Sequence, residues 1–208
     1  MRIIEMPIYT IQELSEKAKE KAFNDFCNTD LFPFGSDNEK TLTEFVKIFP
    51  VKVNKFSYGN GNYFIDFEFT GDLKIENLKG IRLLAYLQNN YFSSLFTGKW
   101  YYGEKYWANV TPKNKDSRLK YKRQSKVLFS DCCTLTGYYI DQDILSPVYD
   151  FIKNPLEKTT FYDLMRRCLK KWITACNTSY EDYFVMDNFL DMSESNDWEY
   201  TEEGDLYA

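Results

Sequence analysis

The stretch VKVNKFSYGNGNYFIDFEFTGDL, residues 51–73, decides the fold class. Its centre, Gly59-Asn60-Gly61-Asn62, is turn chemistry, because Gly and Asn enter positive φ at little steric cost. Beyond the turn, Tyr63, Ile65, Phe67 and Phe69 alternate with Phe64, Asp66 and Glu68. A period of two places the first set on a buried face and the second on a largely polar one. A β-hairpin over 51–70 is therefore predicted, and the rest of the chain is read around it.

On its N-terminal side a helix is predicted over 38–49, with Leu42, Phe45, Val46 and Phe49 inward and Pro50 as its stop. Before that, ELSEKAKEKAFNDF (13–26) places Leu14, Ala18, Ala22 and Phe26 at helical spacing, in register with Ile11. Thr10 and Glu13 stand at capping-box distance and Ser15 is a second candidate cap. Residues 2–9 read as a short strand, at an edge because of Pro7. On the C-terminal side a helix is predicted over 78–96, with Ile81, Leu84, Ala85 and Leu87 as its core stripe. Residues 97–130 are irregular, with GKWYYGEKYW (98–107) as a strand pair and a buried strand at VLF (127–129). A further helix starts near Asp141 or Ser146, with Pro147 in its first turn and Pro155 past its end. Thr160 and Asp163 form an acidic capping box ahead of Phe161, Leu164, Met165, Cys168, Leu169, Trp172, Ile173 and Cys176. A break is expected at Asn177, with Ser179 and Asp182 restarting a helix, and WEYTEEGDLY (198–207) closing on an EEGD turn. No repeat and no Pro/Gly/Ser-rich linker interrupts the pattern. The expectation is one α+β domain over 1–208, an antiparallel sheet packed with about five helices.

Composition then excludes chemistry. There is no histidine, which removes Ser–His–Asp and Cys–His nucleophiles, HExxH zinc sites and the usual neutral-pH base. Five cysteines, with Cys132 and Cys133 adjacent, are an odd set without CxxC spacing, read as reduced thiols in a reducing compartment. The start has one positive charge and no long apolar run, and no stretch approaches a membrane span, so a soluble intracellular protein is expected. Aromatics at 18% exclude a disordered chain and leave rings for a partner surface. Asp141-x-Asp143 has the form of a divalent-cation pair, but acids at a helix start also favour the helix dipole. Asp66, Asp72 and Lys74 echo restriction-type nucleases only with compressed spacing. No metal and no cofactor is expected, and the chain is not read as an enzyme.

Two charged regions remain. Across 111–126, Lys113, Lys115, Arg118, Lys120, Lys122, Arg123 and Lys126 face one acid, with Tyr121 among them. They read either as a solvated loop or as a contact to nucleic acid or an acidic partner, with Tyr106 and Trp107 near enough to stack on bases. From 173 to 208 there is no base, but ten acids: Glu181, Asp182, Asp187, Asp191, Glu194, Asp197, Glu199, Glu202, Glu203 and Asp205. Tyr180, Tyr183, Phe184, Phe189 and Leu190 between them predict an ordered element, not a tail. Such a face reads either as an ordinary acidic surface or as an imitation of nucleic-acid charge, with Trp198, Tyr200 and Tyr207 as anchors.

The stretches IYTIQELSEKAKEKAFNDF and LTGYYIDQDILSPVYDFIKNP, the latter continued by TTFYDLMRRCLKKW, resemble a family of small bacteriophage accessory proteins, antitoxin-like in their usual description. The matching motifs are structural and carry no site residues. The resemblance implies a phage-encoded, non-enzymatic factor acting in the host cytoplasm, similar in character to anti-CRISPR and other anti-defence inhibitors. The leading expectation is an inhibitor that binds a host defence protein, a CRISPR effector nuclease, and blocks its nucleic-acid channel, with the basic loop meeting guide RNA. Two alternatives stand beside it: an antitoxin-like module that binds its toxin, and a nucleic-acid-binding phage protein using residues 113–126.

Overall fold

The computed structural model describes residues 6–29, 31–91, 105–106, 120–121, 134–155 and 158–207. The architecture is α+β. In chain order it has β1 (Tyr9–Thr10), a 3-10 turn (Ile11–Glu13), α1 (Glu16–Asn28), α2 (Gly35–Ile48), β2 (Val51–Ser57) and β3 (Phe64–Phe69). Then follow α3 (Leu73–Glu76), α4 (Gly80–Asn90), β4 (Lys105–Tyr106), β5 (Lys120–Tyr121), α5 (Ile140–Lys153), α6 (Phe161–Tyr183), α7 (Met186–Ser195) and β6 (Glu199–Tyr200). The strands pair as β1–β6, β2–β3 and β4–β5. The chain divides into two compact units. One is 1–36, 56–64 and 173–208; the other is 37–55 and 65–172.

The first unit is closed by its sequence-distant ends. Tyr9 pairs with Tyr200 and Thr10 with Glu199, antiparallel. The expected strand over 2–9 is thus only Tyr9–Thr10 within the described residues; residues 2–5 lie outside them. Thr10 donates from its backbone N and its Oγ1 to Glu13 Oε2, at 2.8 and 3.0 Å, and this holds a 3-10 turn rather than a long helix. Ser15 begins α1, accepting from Ala18 N at 3.3 Å. Ile11, Leu14, Ala18 and Ala22 bury against Phe189 and Tyr200, with Phe23, Phe26 and Trp198 packed around them. The hairpin turn passes through positive φ at Gly59, Asn60 and Gly61. Gly59 N donates to Asn177 Oδ1 at 3.0 Å, and a Cβ on Gly59 would press to 3.0 Å from the Tyr180 ring. Asn177 therefore breaks nothing. Its polar side chain is used by the turn, and α6 runs unbroken from 161 to 183.

The second unit is built on α6, where every expected stripe residue from Phe161 to Trp172 is at most 1% exposed. Thr160 Oγ1 donates to Asp163 Oδ2 at 2.9 Å and accepts from Asp163 N at 3.1 Å, which is the expected capping box. Trp172 Nε1 donates to the Asn38 carbonyl at 3.2 Å, so the largest buried side chain also satisfies its polar atom. Leu42, Phe45 and Phe49 of α2 and its exit are buried as predicted. In β3, Ile65 and Phe67 are more covered than Asp66 and Glu68, and the Phe67 ring lies 5.5 Å from Tyr162. Tyr63 departs from the expected pattern at 42% exposed.

Three expectations in this unit are corrected. The core side of α4 is Leu83 and Leu87, while Ile81 is 77% exposed. The helix starts at Gly80, and its apolar residues fall on both sides, so spacing alone does not select the face. Pro147 lies in the interior of α5, not in its first turn. Proline there leaves the Asp143 carbonyl without its helical N–H, and Ser146 Oγ donates to that carbonyl at 3.0 Å instead. Of the aromatic segment only Lys105–Tyr106 is described; it is a strand, and it pairs with Lys120–Tyr121 of the basic segment, Lys105 facing Tyr121 and Tyr106 facing Lys120. The expected strand at 127–129 lies outside the described residues.

Candidate protein-interaction face

The acidic residues stand on folded elements. Glu181 and Asp182 end α6, and Asp187, Asp191 and Glu194 lie along α7. Asp197 is in the following turn, at φ 52°. Glu202, Glu203 and Asp205 ride the C-terminal turn, where Thr201 N donates to the Asp205 carbonyl at 2.9 Å and Tyr200 bridges Leu206. All are exposed except Glu199, which is half-buried in β6. On α7 the buried residues are Phe189 and Ser193. The rise per residue places Asp187, Asp191 and Glu194 about 6 and about 4.5 Å apart along the axis, wider than the roughly 3.4 Å of duplex axis per phosphate on a nucleic-acid strand.

The partition of charge is one-sided. The first unit holds 16 acids and 4 bases, a net −12, and the second 15 acids and 22 bases, a net +7, which together make the chain's −5. Two of the ten C-terminal acids are matched by side chains of the N-terminal segment among the described residues. Asp205 pairs with Lys21, an interaction that holds the Asp205 carboxyl below the usual carboxylate range and raises Lys21. Glu194 accepts from Gln12 Nε2. Several acids also sit where a helix disfavours them. Glu181 and Asp182 are in the last turn of α6 and Glu194 in the last turn of α7, and neither turn contains a base. Negative charge at a helix C-terminus opposes the dipole, and acids at i,i+4 such as Asp187 and Asp191 repel. Fold stability alone does not account for this placement.

The expected aromatic anchors divide. Tyr200 is 2% exposed. Its hydroxyl is 2.8 Å from Ser193 Oγ, so it is a core residue, and burial pushes its phenol up. Trp198 is half-buried, packed 6.2 Å from Phe26 and 6.4 Å from Phe189. Only Tyr207 of the three is exposed, at 55%. The reason is register: pairing with β1 turns Tyr200 inward. Sequence reading missed other exposed apolar residues of the same unit, Leu31 at 72%, Phe34 at 42% and Val185 at 44%. The signal was LFPFG (31–35), an apolar run that no helical or strand period claims.

Of the basic set, Lys120 lies in β5. Lys113, Lys115, Arg118, Lys122, Arg123 and Lys126 lie outside the described residues, as does Trp107. Sequence reading also passed over a second basic cluster in the second unit: Arg166, Arg167, Lys170 and Lys171 are exposed on α6.

Asp141 and Asp143 both fall in the first turn of α5, but Asp141 does more than face the dipole. It is buried, and its Oδ2 accepts from the backbone N of Leu135, Thr136 and Gly137 at 2.9, 2.6 and 3.0 Å. Its Oδ1 accepts from Thr41 Oγ1 at 2.8 Å and Thr136 Oγ1 at 2.7 Å. A carboxylate filled by five donors has no lone pair left for a cation, so the Asp141-x-Asp143 pair reads as structural. Burial raises the Asp143 carboxyl, and the nearby Lys171 opposes that rise. Among the described residues no group of three or more Cys, Asp or Glu side chains is placed to hold a metal, and the three described cysteines are free thiols. No helix among the described residues is long and apolar enough to cross a membrane.

No family model, curated protein or solved structure matches the chain.

Proposed function

We propose that the protein is a stoichiometric, non-enzymatic inhibitor that lays the acidic face of its first unit into a basic, nucleic-acid-binding channel of a partner. The partner class that fits the phage-like character of the sequence is a host defence nuclease, foremost a CRISPR effector. The observation that carries this reading is the charge partition, together with acids held at helix positions that work against stability. Charge complementarity of this kind sets partner choice and association rate, and it needs rigid placement rather than reactive groups.

The test separates binding from folding. The variant Glu181→Gln, Asp182→Asn, Asp191→Asn, Glu194→Gln removes acids that oppose the helix ends or one another. Its thermal midpoint is expected to rise by roughly 2–5 °C. Inhibition of target-DNA cleavage by a purified CRISPR effector nuclease with its guide RNA is expected to weaken at least about tenfold, with a shallower dependence on salt. Unchanged inhibition with unchanged salt dependence removes the reading.

A second reading, binding of nucleic acid, has its own observation. Arg166, Arg167, Lys170 and Lys171 repeat at i,i+4 on the exposed side of α6, where like charges repel. The variant Arg167→Gln, Lys170→Gln is expected to weaken a single-stranded RNA gel shift. The slope of log affinity on log salt should flatten by about 0.7 for each phosphate no longer neutralised. A shift that is absent, or indifferent to salt and to the variant, ends that reading.

A further inference from the structure

One face of α6 carries opposite charge at its two ends. Arg167, Lys170 and Lys171 are exposed in its N-terminal half, and Glu181 and Asp182 are exposed in its last turn. At about 100° per residue these five, with Thr174 and Thr178 between them, fall on one side of the helix. The buried Cys168, Leu169, Trp172 and Cys176 take the other side. From 172 to 180 there is no charge. Among the described residues none of the five charged side chains is in an ion pair, although Asp143 and Asp163 lie within electrostatic range of Lys171 and Arg167. Within one chain the two blocks do not neutralise each other: Lys171 and Glu181 are about 15 Å apart along the axis, well past the Debye length of about 8 Å at physiological salt. The acids oppose the helix dipole, and Arg167 and Lys171 repel at i,i+4, so the helix gains nothing from this arrangement on its own.

We infer that this face of α6 is a homodimer contact, in which two copies of the chain pack antiparallel about a two-fold axis between Thr174 and Thr178. A second copy is the occupant because the stripe complements itself when reversed. Antiparallel, Lys170 and Lys171 of each copy come level with Asp182 and Glu181 of the other, and Arg167 extends one turn past them. In a parallel pair like charges would meet. The two threonines leave room at the crossing, since small side chains let helix axes approach to about 8 Å. The contact is isologous, so every ion pair occurs twice. A single helix-on-helix contact falls short of the roughly 1,000 Å² of a firm interface, so the dimer is weak, and charge sets its register and orientation. The contact draws on α6 alone and goes beyond the acidic-face reading, which it does not require.

Sedimentation equilibrium of the full chain over a range of concentration and salt is the test. The wild type is expected to show a monomer–dimer equilibrium whose dissociation constant rises at least about tenfold between low and high salt. The variants Arg167→Glu, Lys171→Glu and Glu181→Lys, Asp182→Lys are each expected to weaken self-association at least about tenfold. Mixed in equal amounts, the two are expected to form a dimer again, because each reversed end then meets the other; this also shows that both are folded. Lys74→Glu, Arg82→Glu makes the same change in net charge as the first variant at exposed positions outside α6, and is expected to leave the dimer intact. The contact is overturned by a wild type that stays monomeric at low salt up to about 1 mM, or by a mixture that associates no better than its components. A control that dissociates as the first variant does, or a dimer indifferent to salt and to both α6 variants, overturns it as well. Sedimentation involves no target nuclease, so failure of the dimer and failure of the acidic-face reading are told apart.

Discussion

Replacing Asp141 by alanine is expected to lower the stability of the second unit by upwards of about 3 kcal/mol, a fall in thermal midpoint on the order of 10 °C. The carboxylate is buried and accepts three backbone N–H groups and two hydroxyls. Alanine takes the acceptor from the part-buried N–H groups of Leu135 and Thr136 and from that of exposed Gly137, and the more covered donors keep the larger desolvation cost. Thr41 and Thr136 fare better, because their hydroxyls lie 3.0 Å apart and bond each other. Asparagine should lower stability by about half as much. Its oxygen serves the three N–H groups, and its amide donates to the two hydroxyls, which rotate to accept. Thermal unfolding of the two variants side by side is the measurement. Equal destabilisation would show that charge rather than acceptor geometry holds the 134–137 segment.

Gly204→Ala carries the second large effect. Gly204 has φ 88°, a region that L side chains rarely adopt. A Cβ there would overlap the Ala18 carbonyl oxygen and lie 3.0 Å from its carbon. The obstacle is helix backbone, which cannot rotate away as a side chain would. Strain and overlap together are expected to cost about 2–4 kcal/mol. The effect should take the form of release of the C-terminal turn from α1. Limited proteolysis would then cut within 199–207 well before the wild type is cut, and the Asp205–Lys21 pair would open. If the protein is the inhibitor proposed above, its inhibition should fall as well, since Glu202, Glu203 and Asp205 no longer hold fixed positions. A variant that resists cleavage and keeps its midpoint would show that α1 yields at Ala18.

How much of this is legible in the sequence follows from where each residue finds its partner. The α6 stripe from Phe161 to Cys176 is legible because every covered position is apolar at helical spacing and no other face competes. The capping groups at Thr10, Ser15 and Thr160 are legible because their partners lie three residues away. Asn177 reads as a break because its partner, Gly59, is 118 residues distant. Pro147 reads as a first-turn residue because the compensating hydroxyl of Ser146 is invisible to a rule about proline alone. Ile81 reads as core because α4 carries apolar residues on more than one side, and tertiary packing chooses between them. For the candidate site, the acids are legible as a one-signed run. The rings beside them are not, because exposure of Phe34 and burial of Tyr200 depend on packing that composition does not encode.

The pairing of Tyr9 with Tyr200 has a consequence for biosynthesis. The two residues are 191 positions apart, and a ribosome adding roughly 5–20 residues per second needs about 10–40 s to cover that distance. During this interval α1 has emerged with Ile11, Leu14, Ala18 and Ala22 still lacking Phe189 and Tyr200. The first unit is thus assembled last, although its opening segment is made first. A nascent chain halted before residue 186 should be a substrate for holding chaperones.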